Sequence, residues 1–511
     1  MIATISTQAG PSQVAPRAGL ALALLLGINL FNYIDRQVLS AVLPRLELDA
    51  DLFRPDDPNL KSKLGWLTTA FLVSYMLLSP VFGKLAERRS CWVLVGIGVI
   101  LWSLASGGSG LAVGYLALLL TRCLVGVGEA AYGPVAPAML SDLYPERKRG
   151  RIMAWFYLAI PVGSALGFVI GGQVADTSLG WRGAFQVVVI PGLVLGALCF
   201  FMRAPRQTNQ ELRGKPASWR VVLRELKGVR SFVFCCAGMT CTTFVLGGVA
   251  AWAPYYIFER EARFEITSPA LDKMAELRST DSTPVLPSEV MQKLRLLVSA
   301  ESLSTEELKA ALTRSELTQD ERKQYQQRIF EGVTAKGSIS LGRVGLIFGG
   351  IVVISGLVST LLGGWLGDAL KTRLRGSYFK VCGYGAFIAF PPFVAMLFVP
   401  FPYAWGCVFL AVFFLFINTG PANTILANVS RHNIRARAFA VNIFIIHALG
   451  DAISPPLIGW VGDRASLGLA FLLCSVLIMA AGTLWLCGAR YLDEETERIT
   501  ESERTLHPTG A

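Results

Sequence analysis

Leu24-Leu25-Leu26-Gly27-Ile28-Asn29-Leu30-Phe31-Asn32-Tyr33-Ile34-Asp35-Arg36-Gln37-Val38-Leu39 is the middle of an apolar run from about Ala18 to Leu46. About 20 apolar helical residues cross the hydrocarbon of a bilayer, so the run reads as a transmembrane span. Two charges, Asp35 and Arg36, lie inside it. An ionisable side chain in hydrocarbon costs at least about 2.5 kcal/mol, so such groups face a polar cavity or a partner. The pair points either to a pathway through the membrane or to an ion pair that helps helices assemble.

Composition agrees with a membrane protein. The 511 residues are 53% hydrophobic and 16% charged, with mean hydropathy +0.50, whereas soluble domains carry about 25% charged residues. The net charge of +11 is no nucleic-acid footprint, because the basic residues cluster in short loops between apolar spans, as cytoplasmic loops do. The ten cysteines fall almost wholly inside those spans, which implies no disulfide framework. Cys235, Cys236 and Cys241 lack metal-ligand spacing and read as small packing residues. Residues 1–17 read as a short polar tail, with no cleavable signal ahead of the first span.

Working outward from the first run, twelve spans are expected near 18–46, 64–85, 91–108, 113–140, 151–174, 183–202, 230–258, 343–369, 378–399, 403–428, 437–461 and 466–488. The division is then a tail (1–17), a six-helix half (18–202), a linker (203–229), span 7 (230–258), an insertion (259–342), spans 8–12 (343–488) and a second tail (489–511). The fold class is all-α and integral to the membrane. Lys84/Arg88/Arg89, Arg147 to Arg151, Arg203 to Arg230, Lys371/Arg373/Arg375 and Arg431/Arg435/Arg437 all fall on one side. The positive-inside rule makes that side the cytoplasm, and both termini share it.

The halves repeat. Gly83-Lys84-Leu85-Ala86-Glu87-Arg88 ends span 2 and Gly364-Trp365-Leu366-Gly367-Asp368 ends span 8. Gly171-Gly172-Gln173-Val174-Ala175-Asp176 closes span 5 and Gly459-Trp460-Val461-Gly462-Asp463 closes span 11. Six plus six spans in parallel repeat place a site between the two halves. Stripes such as Gly163/Gly167/Gly171 and Gly345/Gly349 suit helices that rock on one another, and equally suit tight static packing. The basic linker suggests contact with anionic headgroups. The insertion is expected on the outer side as a small helical hairpin over the mouth, with a disordered link near 279–287 and a helix start at Ser304-Thr305-Glu306-Glu307.

Span 4 carries Arg122 and Glu129, seven residues apart and so on one helix face. With Asp35 and Arg36 they make a network whose pairing can alternate with conformation, or a static salt-bridge cluster. A carboxylate in such a place can load and release a proton. Span 11 carries His447 and Asp451 at i, i+4, and His447 can titrate near physiological pH. The plainer alternative is a polar residue bonding across helices. The proton-coupling candidates are therefore Asp35, Glu129, Arg122, His447 and Asp451. The substrate candidates are Tyr33, Arg36, Arg122, Glu129, Phe244 and Asn418, the last two lying on spans 7 and 10. The apolar faces there suit an acyl chain, or simply lipid. Gly83, Glu87, Arg88, Asp142, Gly364 and Asp368 are expected at the cytoplasmic gate, the carboxylates pairing with basic loops or capping a helix. There is no phosphate-binding loop, zinc-spaced His/Cys set or nucleophile elbow. No enzyme activity and no cofactor are expected; an ion gradient or the substrate's own gradient must drive transport.

At these residues the chain resembles the major facilitator superfamily across all twelve spans. Gly83 to Arg89 is similar to its loop motif, with Glu87 where that motif has Asp, and Arg122 to Gly128 is similar to its span-four motif. Asn32 to Arg36, Val125 to Ala130, Tyr157 to Ser164 and His447 to Pro456 resemble the spinster-like branch. That resemblance implies a proton-coupled transporter of lysolipid or sphingolipid-like amphiphiles. Protons would act at Asp35 and Glu129, with Arg36 and Arg122 near the headgroup and His447 in the second half's cavity wall. A symporter of small organic anions such as sugar acids is the alternative, and a non-transporting receptor on a carrier fold the third reading. The expected partners are a small amphiphile, protons and membrane lipids, with no nucleic acid. A monomer in a bacterial inner membrane is expected.

Overall fold

A computed structural model describes residues 18–506 apart from 50, 55–56, 87–88, 145, 203–218, 277–285, 300, 319–320, 322–324, 326–328, 331 and 432–433. The side chains of 141–142, 146–151, 154, 306, 436 and 503–506 are not described. Among the described residues, twelve helices are long and apolar enough to cross a membrane: Ala18–Leu46, Leu60–Ala86, Cys91–Gly110, Tyr115–Leu140, Trp155–Ala175, Gly180–Phe200, Arg230–Glu261, Leu341–Leu370, Ser377–Phe398, Ala404–Asn428, Arg437–Arg464 and Leu467–Gly488. They are numbered spans 1–12. Without water to satisfy the backbone, a helix is the way such apolar runs close their own hydrogen bonds. An even number of spans puts both termini on one side, the terminus side, and the 262–340 segment on the other, the insertion side.

Glycines decide how closely the helices approach. A Cβ at Gly163 would stand 2.6 Å from the Leu30 carbonyl and one at Gly167 2.5 Å from that of Ile34, so span 5 lies backbone to backbone on span 1. The stripe read from the sequence is this packing face.

Between the halves, span 2 packs along span 11 and span 5 along span 8, each through segments near the insertion side. Span 2 meets Ser454–Arg464, the insertion-side end of span 11, and span 5 meets Leu341–Ile354, the insertion-side end of span 8. Further toward the terminus side, Leu77 and Val81 of span 2 and Phe444 and Leu449 of span 11 are exposed. The halves thus meet on the insertion side and part toward the other.

Two spans change winding. Ser355–Ser359 in span 8 and His447–Asp451 in span 11 are π-helical turns, a feature that often marks functional sites.

The insertion is more than a hairpin. It holds helices Ser268–Glu276, Ser288–Arg295 and Thr305–Arg314, tied at their base by bridges from Phe264 to Leu303 and to Thr334. The helix start at Ser304 is a full capping box with Glu307. That helix breaks after Arg314, where Glu316 has φ 55°, and the chain is helical again at Glu321, Tyr325, Ile329 and Phe330. The link expected near 279–287 falls mostly outside the described residues. Span 7 continues to Glu261, three residues past the expected end.

Candidate functional site

A cavity of about 240 Å³ lies between the halves. Spans 1, 2 and 4 contribute Tyr33, Arg36, Phe71 and Arg122, and span 11 contributes His447 and Asp451 across from them. Gly247 of span 7 completes the wall; its missing Cβ leaves room for Asp451.

Adjacent helical residues point about 100° apart, and Asp35 and Arg36 use that divergence. Arg36 turns to the cavity and grips Glu129, with Nε 2.8 Å and Nη2 2.6 Å from Oε2. Its guanidinium also sits 4.9 Å from the ring centres of both Tyr33 and Phe71, a cation–π setting. Glu129 is fully buried and its Oε1 makes no hydrogen bond. The Asn32 amide approaches Glu129 without a bond of good geometry.

Asp35 turns the other way. It is 2% exposed and accepts a hydrogen bond from Ser106 of span 3 through Oδ1, while Oδ2 has no partner. Arg122 donates to Ser109 of span 3, with Nη2 2.6 Å and Nε 3.1 Å from the hydroxyl, and stacks 5.0 Å over Phe185. The four charges are therefore one neighbourhood with a single direct ion pair among them, Arg36–Glu129. Arg36 is thus Glu129's direct partner, while Asp35 lies on the Arg122 side and is held by a serine. Ser106 and Ser109 are site residues the sequence reading missed. Their i, i+3 spacing inside an apolar span was the available signal.

His447 Nδ1 lies 2.9 Å from Asp451 Oδ2 and 3.0 Å from Oδ1, within the π-helical turn. The second half thus presents its own acid–imidazole pair to the cavity.

Other expected residues fall elsewhere. Phe244 packs half-buried against the apolar core and Asn418 donates to the Leu415 carbonyl of its own helix; neither lines this cavity. The apolar spacing of spans 7 and 10 marks core packing, which a periodic pattern cannot distinguish from a binding wall. Asp368 is exposed and accepts from the Tyr378 hydroxyl at 2.6 Å, so its partner is a span-9 hydroxyl where a basic loop residue or a helix N-terminus was expected. Gly83 approaches Pro134 and Gly364 lies against Gly420. Glu87 and Arg88 lie outside the described residues, as does the side chain of Asp142.

Comparison with known proteins agrees with this arrangement. The Major Facilitator Superfamily profile matches residues 25–271. Human "Protein spinster homolog 1" is 30% identical over 528 residues, covering 97% of this chain and 85% of that protein. The "Sphingosine-1-phosphate transporter SPNS2" of Xenopus tropicalis is 26% identical, covering 96% and 86%. Among solved structures, a bacterial homolog of the human lysosomal transporter spinster, in an inward-facing and unoccupied conformation, superposes with TM-score 0.70 at 16% identity over 94% of this chain and 99% of that one. The chain is a multi-pass membrane transporter belonging to the spinster family of the major facilitator superfamily.

Proposed function

We propose that this transporter moves single-chain amphiphiles with an anionic headgroup, of the lysolipid or sphingosine-phosphate kind, by proton-coupled alternating access. The observation that carries this reading is the buried Arg36–Glu129 pair in the wall of a cavity between the halves. Protonation of Glu129 removes its charge and releases the guanidinium, which then takes the substrate's phosphate. Loss of the proton restores the pair and expels the anion. Proton and headgroup thereby act on one residue, Arg36, from two sides.

Arg122 and Asp35 supply the fixed charges beside this exchange, and His447–Asp451 adds an acid–imidazole pair from the facing half. The relation to proteins described as sphingosine-1-phosphate transporters supports the substrate class. We place the terminus side in the cytoplasm of a bacterial inner membrane, on the strength of the basic loops there, and take the working unit to be a monomer.

The test is flux in proteoliposomes under an imposed pH gradient, with lysophosphatidic acid, sphingosine-1-phosphate and a sugar acid supplied separately. Proton-driven flux of the lipids and none of the sugar acid supports the reading. The reverse pattern replaces it with a small-anion symporter.

A further inference from the structure

The insertion is rooted in the second half, between spans 7 and 8, yet it is seated on the first. Leu43 and Leu46 of span 1, together with Leu52 and Phe53 beyond it, form one continuous apolar core with Phe264, Leu294, Leu308 and Phe330 of the insertion. Two charged contacts fasten that seat. Lys309 pairs with Glu47, which is 8% exposed at the end of span 1 and also accepts from Tyr255 of span 7. The Arg45 guanidinium lies 3.9 Å over the Phe330 ring and 3.3 Å from Asp176. Span 1, span 5, span 7 and the insertion are thus tied at one place.

We infer that the insertion is an outer-gate strap, with Lys309 and Phe330 as positioning residues that hold the two halves together on the insertion side. In alternating access the halves must separate there. Separation moves Glu47 and Arg45 with the first half, while Lys309 and Phe330 stay with the second. Each opening must therefore break the Lys309–Glu47 pair and expose apolar surface on both faces. The strap weights the equilibrium against the state open on the insertion side. It also leaves the cavity chemistry untouched, since none of these residues lines it.

Hydrogen–deuterium exchange on the purified full-length carrier in nanodiscs tests this without a substrate or a known orientation. The reporters are the insertion-side ends of spans 2 and 8, where the Lys61, Ser62 and Gly342 amides donate to carboxylates from the opposite half. Lys309→Met keeps the side chain's stem, and Glu47→Gln keeps its bond with Tyr255, so either variant serves if the other fails to fold. The expected result is exchange at residues 60–64 and 341–345 faster by roughly tenfold or more, following the larger open population, with spans 3 and 4 unchanged. Faster exchange confined to the insertion overturns the proposal, because the contact then stabilises only the insertion itself. Wild-type exchange at both reporters in both variants overturns it as well.

Discussion

Asp176 and Asp463 hold equivalent places in the two halves, and each caps a helix of the other half. Asp463, ending span 11, accepts from the Lys61 and Ser62 amides at the start of span 2, at 2.7 and 2.8 Å. Asp176, just past span 5, accepts from the Gly342 amide at the start of span 8, at 2.7 Å. A carboxylate at a helix N-terminus meets unsatisfied amides and the positive end of the dipole, worth about 0.3–2 kcal/mol. The closed insertion side is thus latched twice, by one device in pseudo-symmetric copies.

Neutralising either latch shifts the carrier toward the state open on the insertion side. Asp463→Asn is expected to act more strongly than Asp176→Asn, since it serves two amides. Thiol labelling of a cysteine placed at Gln37, in the cavity wall, reads the shift, roughly fivefold for 1 kcal/mol. Equal labelling in wild type and Asp463→Asn would remove the aspartates from the gate.

Glu129→Gln keeps the size of the side chain and abolishes its titration. The variant should fold, bind lysolipid and lose the pH dependence of flux across pH 5–8. Flux measured at several pH values with no membrane potential decides this. A wild-type pH profile would assign Glu129 a purely structural role.

Arg36→Met leaves a fully buried carboxylate without its partner, a loss expected to cost about 3–5 kcal/mol of stability. Combining it with Glu129→Gln removes the stranded charge and should recover most of that loss. The double variant should still fail to bind phosphate-bearing ligands. Thermal unfolding of the single and double variants, beside a lysophosphatidic acid titration, separates the two effects.

In the insertion, the Lys293 ammonium and then the Thr318 amide hold the Glu321 carboxyl down to about 2. A carboxyl held below its unfolded value, about 4.3, stabilises the fold above that value. The contribution fades as pH falls from about 4.3 through about 2. Protease resistance of the insertion should therefore be higher in wild type than in Glu321→Gln at pH 7, and the two should converge near pH 2. A difference that persists unchanged at pH 2 would show that the carboxylate's charge is not the cause.

Much of the site was readable as a neighbourhood. Charges at Asp35, Arg36, Arg122 and Glu129 stand out against apolar sequence because each carries a desolvation cost that only function or pairing offsets. Which charge meets which was not readable. Arg36 and Glu129 lie 93 positions apart, and nothing local distinguishes Glu129 from Asp35 as the partner. That Phe244 and Asn418 lie outside this cavity was unreadable for a related reason: apolar spacing looks the same on a core face and on a cavity wall.

The sequence by itself determined twelve spans, their repeat and the identity of the membrane-buried charges. These follow from length, hydropathy and charge placement, which are properties of short stretches. Only the tertiary structure decided that Asp176 and Asp463 are latches, that Ser106 and Ser109 hold Asp35 and Arg122, and that the insertion rests on the half it is not attached to. Each of these depends on backbones meeting within a few ångströms across different spans. Glycine contacts and crossing helices set such approaches, and no local pattern encodes them.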